Sequence, residues 1–206
     1  MKQPLLLECV MNSIKFDINR LHRELGCLPK SYRVAFAASC CERLLPNYLA
    51  LSRSTYRAGY STLRKALDRV WASLAGEHLP LLMIQQLKQT CEQTIPDASG
   101  FTDYQIAAAL DASRAVLETV QCMADGSPRR AAEVASIAKD TVYLYIRCRD
   151  DLAYSAEAME RIQVDPLFVR ELQTQRCVLD ALSSARQPDA VLFHQLRSLG
   201  EQVLEA

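Results

Sequence analysis

The sequence predicts an all-α fold, a compact bundle of seven or eight mostly antiparallel helices. Three observations predict it. Apolar residues recur at steps of three and four, and no segment alternates over a strand length. Gly and Pro punctuate these periodic segments, at Gly26 and Pro29, Gly76 and Pro80, Pro96 and Gly100, Gly126 and Pro128, Pro166 and Pro188. The breaks so marked are short, which favours antiparallel neighbours. One domain over residues 1–206 is expected, with 1–15 a peripheral N-terminal segment. At this length about 70% of the unfolded chain's surface is buried on folding, enough for a core without staples.

The elements follow in order. Asn12 to Leu25 carries Ile14, Ile18, Leu21 and Leu25 on one face. Ser31 is placed to cap a second helix running to about Leu45, where Pro46 is expected to end or kink it. Asn47 to about Thr55 reads as a further short helix. Ser61 to Ala75 is strongly amphipathic, with Leu63, Leu67, Val70, Trp71 and Leu74 together. Pro80 opens the next helix, directing Ile84, Leu87 and Cys91 inward. Thr102 caps a long helix to about Ala124. Ser127 and Pro128 open another, whose two apolar stripes (Ala131 to Tyr145 and Val134 to Leu144) predict a central position. Asp165 with Pro166 repeats that signature ahead of Phe168, Leu172, Gln175, Leu179 and Leu182. Asp189 caps a last helix bearing Leu192, Leu196, Leu199 and Val203.

Composition limits the partners. Twenty-four Lys and Arg balance twenty-four Asp and Glu, which argues against generic nucleic-acid or membrane binding by the whole chain. The balance is uneven along the sequence: residues 1–80 hold 12 basic and 6 acidic residues, and residues 81–206 hold 12 and 18. Either the two halves pack together and neutralise, or the first half carries a basic patch for an anionic partner. No stretch reaches the ~18 apolar residues of a membrane span, and Glu8 interrupts the only apolar run near the start. A cytoplasmic location is expected, with the eight Cys reduced and mostly packed as small hydrophobes.

Several chemistries have no support. There is no Gly-rich phosphate loop, no G-x-S-x-G elbow and no C-x-x-C pair. His22, His78 and His194 lie far apart, without the spacing of a helical metal site. Asp150-Asp151 lacks a DDxxD continuation and reads as a solvated helix end. No catalytic residue, metal or cofactor is expected. Two constellations remain. Arg53, Arg57, Arg64, Lys65 and Arg69, interleaved with Tyr56 and Tyr60, form a candidate anion-binding segment that can instead dock the acidic half. Cys40-Cys41 is either a packing pair or a thiol site.

The stretch Cys41-Glu42-Arg43-Leu44-Leu45-Pro46-Asn47-Tyr48 resembles the YjaG-like family, bacterial domains of unknown function (domain of unknown function 416). Leu67-Asp68-x-x-Trp71, Ile95-Pro96-Asp97, Ala109 to Ala112 and Ala132 to Ala135 match the same family in order, over about residues 16–185. The resemblance implies an all-α fold in a cytoplasmic bacterial protein, and an association with signalling drawn from gene neighbourhood. It implies no reaction, cofactor or substrate.

Within that stretch the chemistry is readable. Glu42, Arg43, Asn47, Tyr48, Asp68, Trp71, Asp111 and Glu133 are the candidate members of a polar network or pocket. A buried charge needs a partner, and Asp68 or Asp111 is the expected partner of Arg43. Asn47 and the Tyr48 hydroxyl are suited to repairing the break at Pro46. The leading expectation is a non-enzymatic interaction or regulatory protein, with a protein partner or a second copy of itself. The rivals are a ligand-binding or enzymatic pocket around Glu42, Arg43, Asp68 and Asp111, and an anion or nucleic-acid binder through Arg53–Arg69.

Overall fold

A computed structural model describes residues 15–51, 57–96 and 104–202, and all regular structure in them is helical. The helices are α1 (Ile18–Gly26), α2 (Lys30–Leu51), α3 (Arg57–Leu74), α4 (Leu81–Glu92), α5 (Tyr104–Asp125), α6 (Pro128–Arg149), α7 (Ala156–Gln163), α8 (Pro166–Ser184) and α9 (Ala190–Gln202). The described residues therefore hold nine helices, more than the seven or eight expected, and no strand.

Local chemistry sets most boundaries. The first helix begins at Ile18, later than expected, because the Asp17 carboxylate accepts hydrogen bonds from the amides of Asn19 and Arg20. The Asp165 and Asp189 carboxylates cap α8 and α9 in the same way, through the amides of Leu167 and Val191. Gly76 takes a left-handed φ of 107° after α3, and two turn-closing bonds form: Gly76 N to Ser73 O and Glu77 N to Ala72 O. Asp151, at φ 49°, closes α6 by the same pattern. Ser127 stands at the N-cap of α6 without a side-chain capping bond, and the expected cap Thr102 lies outside the described residues.

Two elements differ from expectation. Pro46 neither ends α2 nor divides it: one helix runs from Lys30 to Leu51. Pro in a helix interior costs about 3 kcal/mol. Leu44, Leu45 and Tyr48 around it are all buried, so packing offsets that cost. The unforeseen α7 has only Ala158 and Ile162 buried, too few apolar positions to show a period.

The most enclosed helix is α2, and α6, expected to be central, packs against α1, α2, α5, α7 and α8. Helix α2 packs against α3, α5, α6, α8 and α9, and residues 34–45 are buried without interruption. A helix buried on every side cannot show a clear amphipathic stripe. Ala35, Ala37 and Ala38 on α2, with Ala109, Ala112 and Ala115 on α5, are small enough for close approach of these helices. A satellite cluster of Ile146, Ile162, Phe168 and Leu172 joins the end of α6 to α7 and α8. No helix among the described residues is long and apolar enough to cross a membrane.

Candidate functional site

Glu42 and Arg43 are neighbours on α2, about 100° apart around its axis, so they address different helices. Glu42 faces α3 and α9. Its Oε2 accepts from Arg64 Nη1 at 2.5 Å, and its Oε1 accepts from Arg64 Nη2 and Trp71 Nε1 at 2.8 Å each. Arg197 Nε lies 3.5 Å from the same Oε1. Asp68 extends this cluster outward, accepting from Arg64 Nε at 3.1 Å and Arg197 Nη2 at 2.6 Å. A carboxylate almost without solvent contact is thus matched by two guanidiniums and an indole N–H.

Arg43 faces α8. Its Nε and Nη2 hold Glu171 Oε2 and Oε1 at 2.8 Å each, a bidentate pair. Nη1 donates to Ser39 O at 2.9 Å and to Ser39 Oγ at 3.4 Å, and Nη2 also reaches Cys40 Sγ at 3.4 Å. All five guanidinium N–H groups therefore have acceptors inside the protein. Gln175 Nε2 adds a bond to Glu171 Oε1 at 2.8 Å and one to Ala135 O at 3.0 Å, tying α8 to α6. Burial opposes the charged form of Arg43, but the Glu171 carboxylate and Cys40 outweigh it and raise its pKa. Burial pushes the Cys40 thiol up to about 11, against the opposing pull of Arg43, and pushes Cys41 higher still. Neither is a ready thiolate, so the pair is packing chemistry.

Beside this ion pair a cavity of about 300 Å³ opens between α2, α5, α6 and α8. Leu44, Ala138, Val142 and Leu167 give it apolar walls. Asn47, Tyr104, Tyr145 and Arg170 give it polar groups, and Arg43 and Glu171 border it. Tyr104 and Tyr145 form a tilted aromatic pair with centroids 5.6 Å apart. Burial and the nearby Tyr145, Cys148 and Asp111 raise the Tyr104 pKa to about 12, so the phenol stays protonated.

The expected site residues are therefore divided. Glu42, Asp68 and Trp71 meet in one cluster. Arg43 pairs with Glu171 rather than with Asp68 or Asp111. Asp111 accepts a bond from Thr141 Oγ1 at 2.9 Å, across the α5–α6 seam, and burial raises its pKa against that bond and Arg114. Glu133 is exposed on α6, in a groove shared with Arg114, Glu118 and Arg130. Tyr48 does not repair the helix at Pro46: its hydroxyl donates to Thr94 O at 2.8 Å, beyond the end of α4. Asn47 lines the cavity, and its side chain has no hydrogen-bond partner among the described residues.

Of the basic segment, Arg64 is spent on Glu42 and Asp68, Arg69 pairs with Glu77 at 2.6 Å, and Lys65 is exposed. Arg53 and the Arg57 side chain lie outside the described residues. The two halves of the chain do exchange charge, but mostly with the basic partner in the acidic half: Arg197 meets Glu42 and Asp68, and Arg176 meets Glu24. Glu171 and Gln175 were the missed members. A carboxylate one turn before Gln175, beside the apolar stripe of α8, was the available signal, because such a group needs a buried cation.

Among the described residues no cluster of three His, Cys, Asp or Glu side chains is arranged to hold a metal ion.

The fold and sequence have relatives. The chain is 27% identical over 183 residues to "Uncharacterized protein YjaG" of Escherichia coli (strain K12), covering 87% of this chain and 90% of that one. It is 25% identical over 182 residues to an "Uncharacterized protein" of Haemophilus influenzae, covering 87% and 91%. The crystal structure of a DUF416 family protein from Shewanella baltica OS155 superposes with a TM-score of 0.76 at 21% identity, over 89% of this chain and 93% of that one. Residues 20–203 match the family described as "Protein of unknown function (DUF416)", and on that match, which runs from the first turn of α1 past the end of α9, the chain belongs to the DUF416 family.

Proposed function

We propose that the protein is a non-enzymatic, cytoplasmic interaction or regulatory protein that works as one helical unit. One observation carries this reading. The carboxylates that an acid–base or metal mechanism would enlist do not share a cleft. Glu42 is enclosed by Arg64, Trp71 and Arg197; Asp111 is bonded to Thr141; Glu133 is exposed in a separate groove. None of Glu42, Asp68, Asp111 and Glu133 lines the 300 Å³ cavity. General acid–base work needs a group within hydrogen-bond reach of a substrate proton, and Glu42 and Asp111 are already engaged by protein donors. The polar cluster then serves to fix α2 against α3, α8 and α9, presenting a defined helical surface to a protein partner or a second copy of the chain.

The test is a metabolite screen with pure protein. No turnover is expected from a mixture of common phosphoesters, amides, esters and nucleotides. Turnover that Glu42→Gln abolishes, in a variant that keeps its helical signal, would overturn the reading. Light scattering over a concentration series checks self-association independently.

A further inference from the structure

The charged groups around the cavity between α2, α5, α6 and α8 are already engaged. Arg43 gives its N–H groups to Glu171, Ser39 and Cys40. Glu171, the one lining carboxylate among the described residues, accepts from Arg43 and Gln175. Arg170, at the same wall, has a partner within the chain. Arg149, 6.0 Å from the Tyr145 ring centroid, is paired with Asp150 and Asp165. Thr141 has given its one hydrogen to Asp111 Oδ2 or Ile137 O.

Neutral groups are what the cavity keeps for a ligand. The Asn47 side chain is half-buried and has no hydrogen-bond partner among the described residues. A carboxamide carries N–H donors and a carbonyl acceptor side by side. The group that matches both at once is a second amide, whose carbonyl accepts from Asn47 Nδ2 and whose N–H donates to Asn47 Oδ1. The Tyr104 and Tyr145 hydroxyls likewise have no partner among the described residues, and burial keeps the Tyr104 phenol protonated. Tyr145 is 40% exposed while Ala138 and Thr141, one and two turns before it on the same face of α6, are buried, so the cavity opens past the tyrosine pair. The two rings, with Leu44, Val142 and Leu167, make the remaining wall apolar and partly aromatic. A volume of about 300 Å³ lies at the small end of ligand pockets, enough for one ring and a short polar group.

We propose that this cavity binds a small uncharged aromatic carboxamide, its amide edge paired with the Asn47 side chain and its ring against Leu44, Val142 and Leu167. A carboxylate or an ammonium gives up far more hydration on entry than an amide, and the lining charges that would compensate it are already engaged. The site goes beyond the interaction reading above and does not rest on it.

The test uses four probes built on one ring: 2-phenylacetamide, methyl phenylacetate, phenylacetate and 2-phenylethylamine. The ester keeps the carbonyl of the amide and lacks its N–H; the last two are its anionic and cationic counterparts. Each is titrated into the ¹⁵N-labelled full chain and followed by amide shifts. 2-Phenylacetamide is expected to bind saturably, shifting amides near Asn47, Val142 and Leu167, and up to about tenfold more tightly than the ester. The two ions are expected not to saturate. Asn47→Leu, close in size and breaking no side-chain hydrogen bond within the described residues, should weaken the amide about tenfold and bring amide and ester to the same affinity. Val142→Phe should fill the cavity and abolish binding of both; should that variant fail to fold, Asn47→Leu still decides. No saturable binding of the amide, an ion bound as tightly as the amide, shifts confined to other helices, or a preference for amide over ester that survives Asn47→Leu would each overturn the site.

Discussion

Buried charge is costly unless geometry uses nearly all of its hydrogen-bonding capacity, and Arg43 meets that condition with Glu171, Ser39 and Cys40. The pair is worth little relative to a well-packed apolar replacement, but breaking it from one side is expensive. Glu171→Leu leaves an unpaired guanidinium in the core and is expected to cost about 3–5 kcal/mol. The double variant Arg43→Met, Glu171→Leu should recover most of that loss, since both desolvation penalties vanish together. Urea unfolding followed by the fluorescence of Trp71, the only Trp in the chain, measures both. A single variant within about 1 kcal/mol of the parent would show that the pair does not fix α8 to α2. Legibility ends at this scale for a physical reason. Arg43 and Glu171 stand 128 positions apart, and no local pattern encodes which of several carboxylates a folded helix will present. That Glu42 and Arg43 must have partners was readable; that the partners are Arg64, Trp71 and Glu171 was not.

Among the elements, α9 shows how a small residue sets a helix contact. Gly200 lies inside α9 and is buried against α2. A Cβ there would collide with the Glu42 Cβ and come within 3.1 Å of Ser39 O. Propensity alone favours Ala over Gly in a helix by about 1 kcal/mol. The collision opposes it, because the Ser39 carbonyl is backbone and also receives Arg43 Nη1, so neither can yield freely. Overpacking of this kind costs about 1–3 kcal/mol, so Gly200→Ala should be net destabilising. Gly26→Ala is the control: nothing lies within 4 Å of its Cβ position, and it should be neutral or stabilising. Thermal unfolding of the two variants separates the effects, and equal stabilisation by both would remove the close-packing argument. At this scale the sequence was informative wherever signals were local. The Asp165–Pro166 and Asp189 starts and the Pro80 opening stand as read. Pro46 misled because its rule is local while the forces holding α2 together come from five neighbouring helices. The short α7 was invisible because only two of its side chains enter the core.

Across the whole molecule, the cysteines form a built-in gauge of how the bundle opens. Cys27 and Cys148 are exposed, whereas Cys40, Cys41, Cys91 and Cys122 are buried in one continuous core. Burial pushes the Cys91 and Cys122 thiols up to about 12, with Glu92 and Asp125 adding to it. Reaction requires the thiolate, so these thiols are protected twice, by exclusion of reagent and by lack of ionisation. A Cys9→Ser variant removes the thiol that lies outside the described residues. At pH 8 in that variant, a disulfide reagent should modify Cys27 and Cys148 at rates near those of a free thiol. Cys40 and Cys41 should react only through opening of the core, and urea should accelerate both in parallel with loss of the Trp71 signal. Cys91 gives the finer reading. Its helix, α4, rests mainly on α5 and α3, so a partial opening that frees α4 alone would release Cys91 first. Coincident release of all four buried thiols would instead mean that α4 unfolds with the central helix. Rapid modification of Cys40 or Cys41 in the native protein would contradict both orders, because it requires a path to the middle of α2 that the packed helices do not provide.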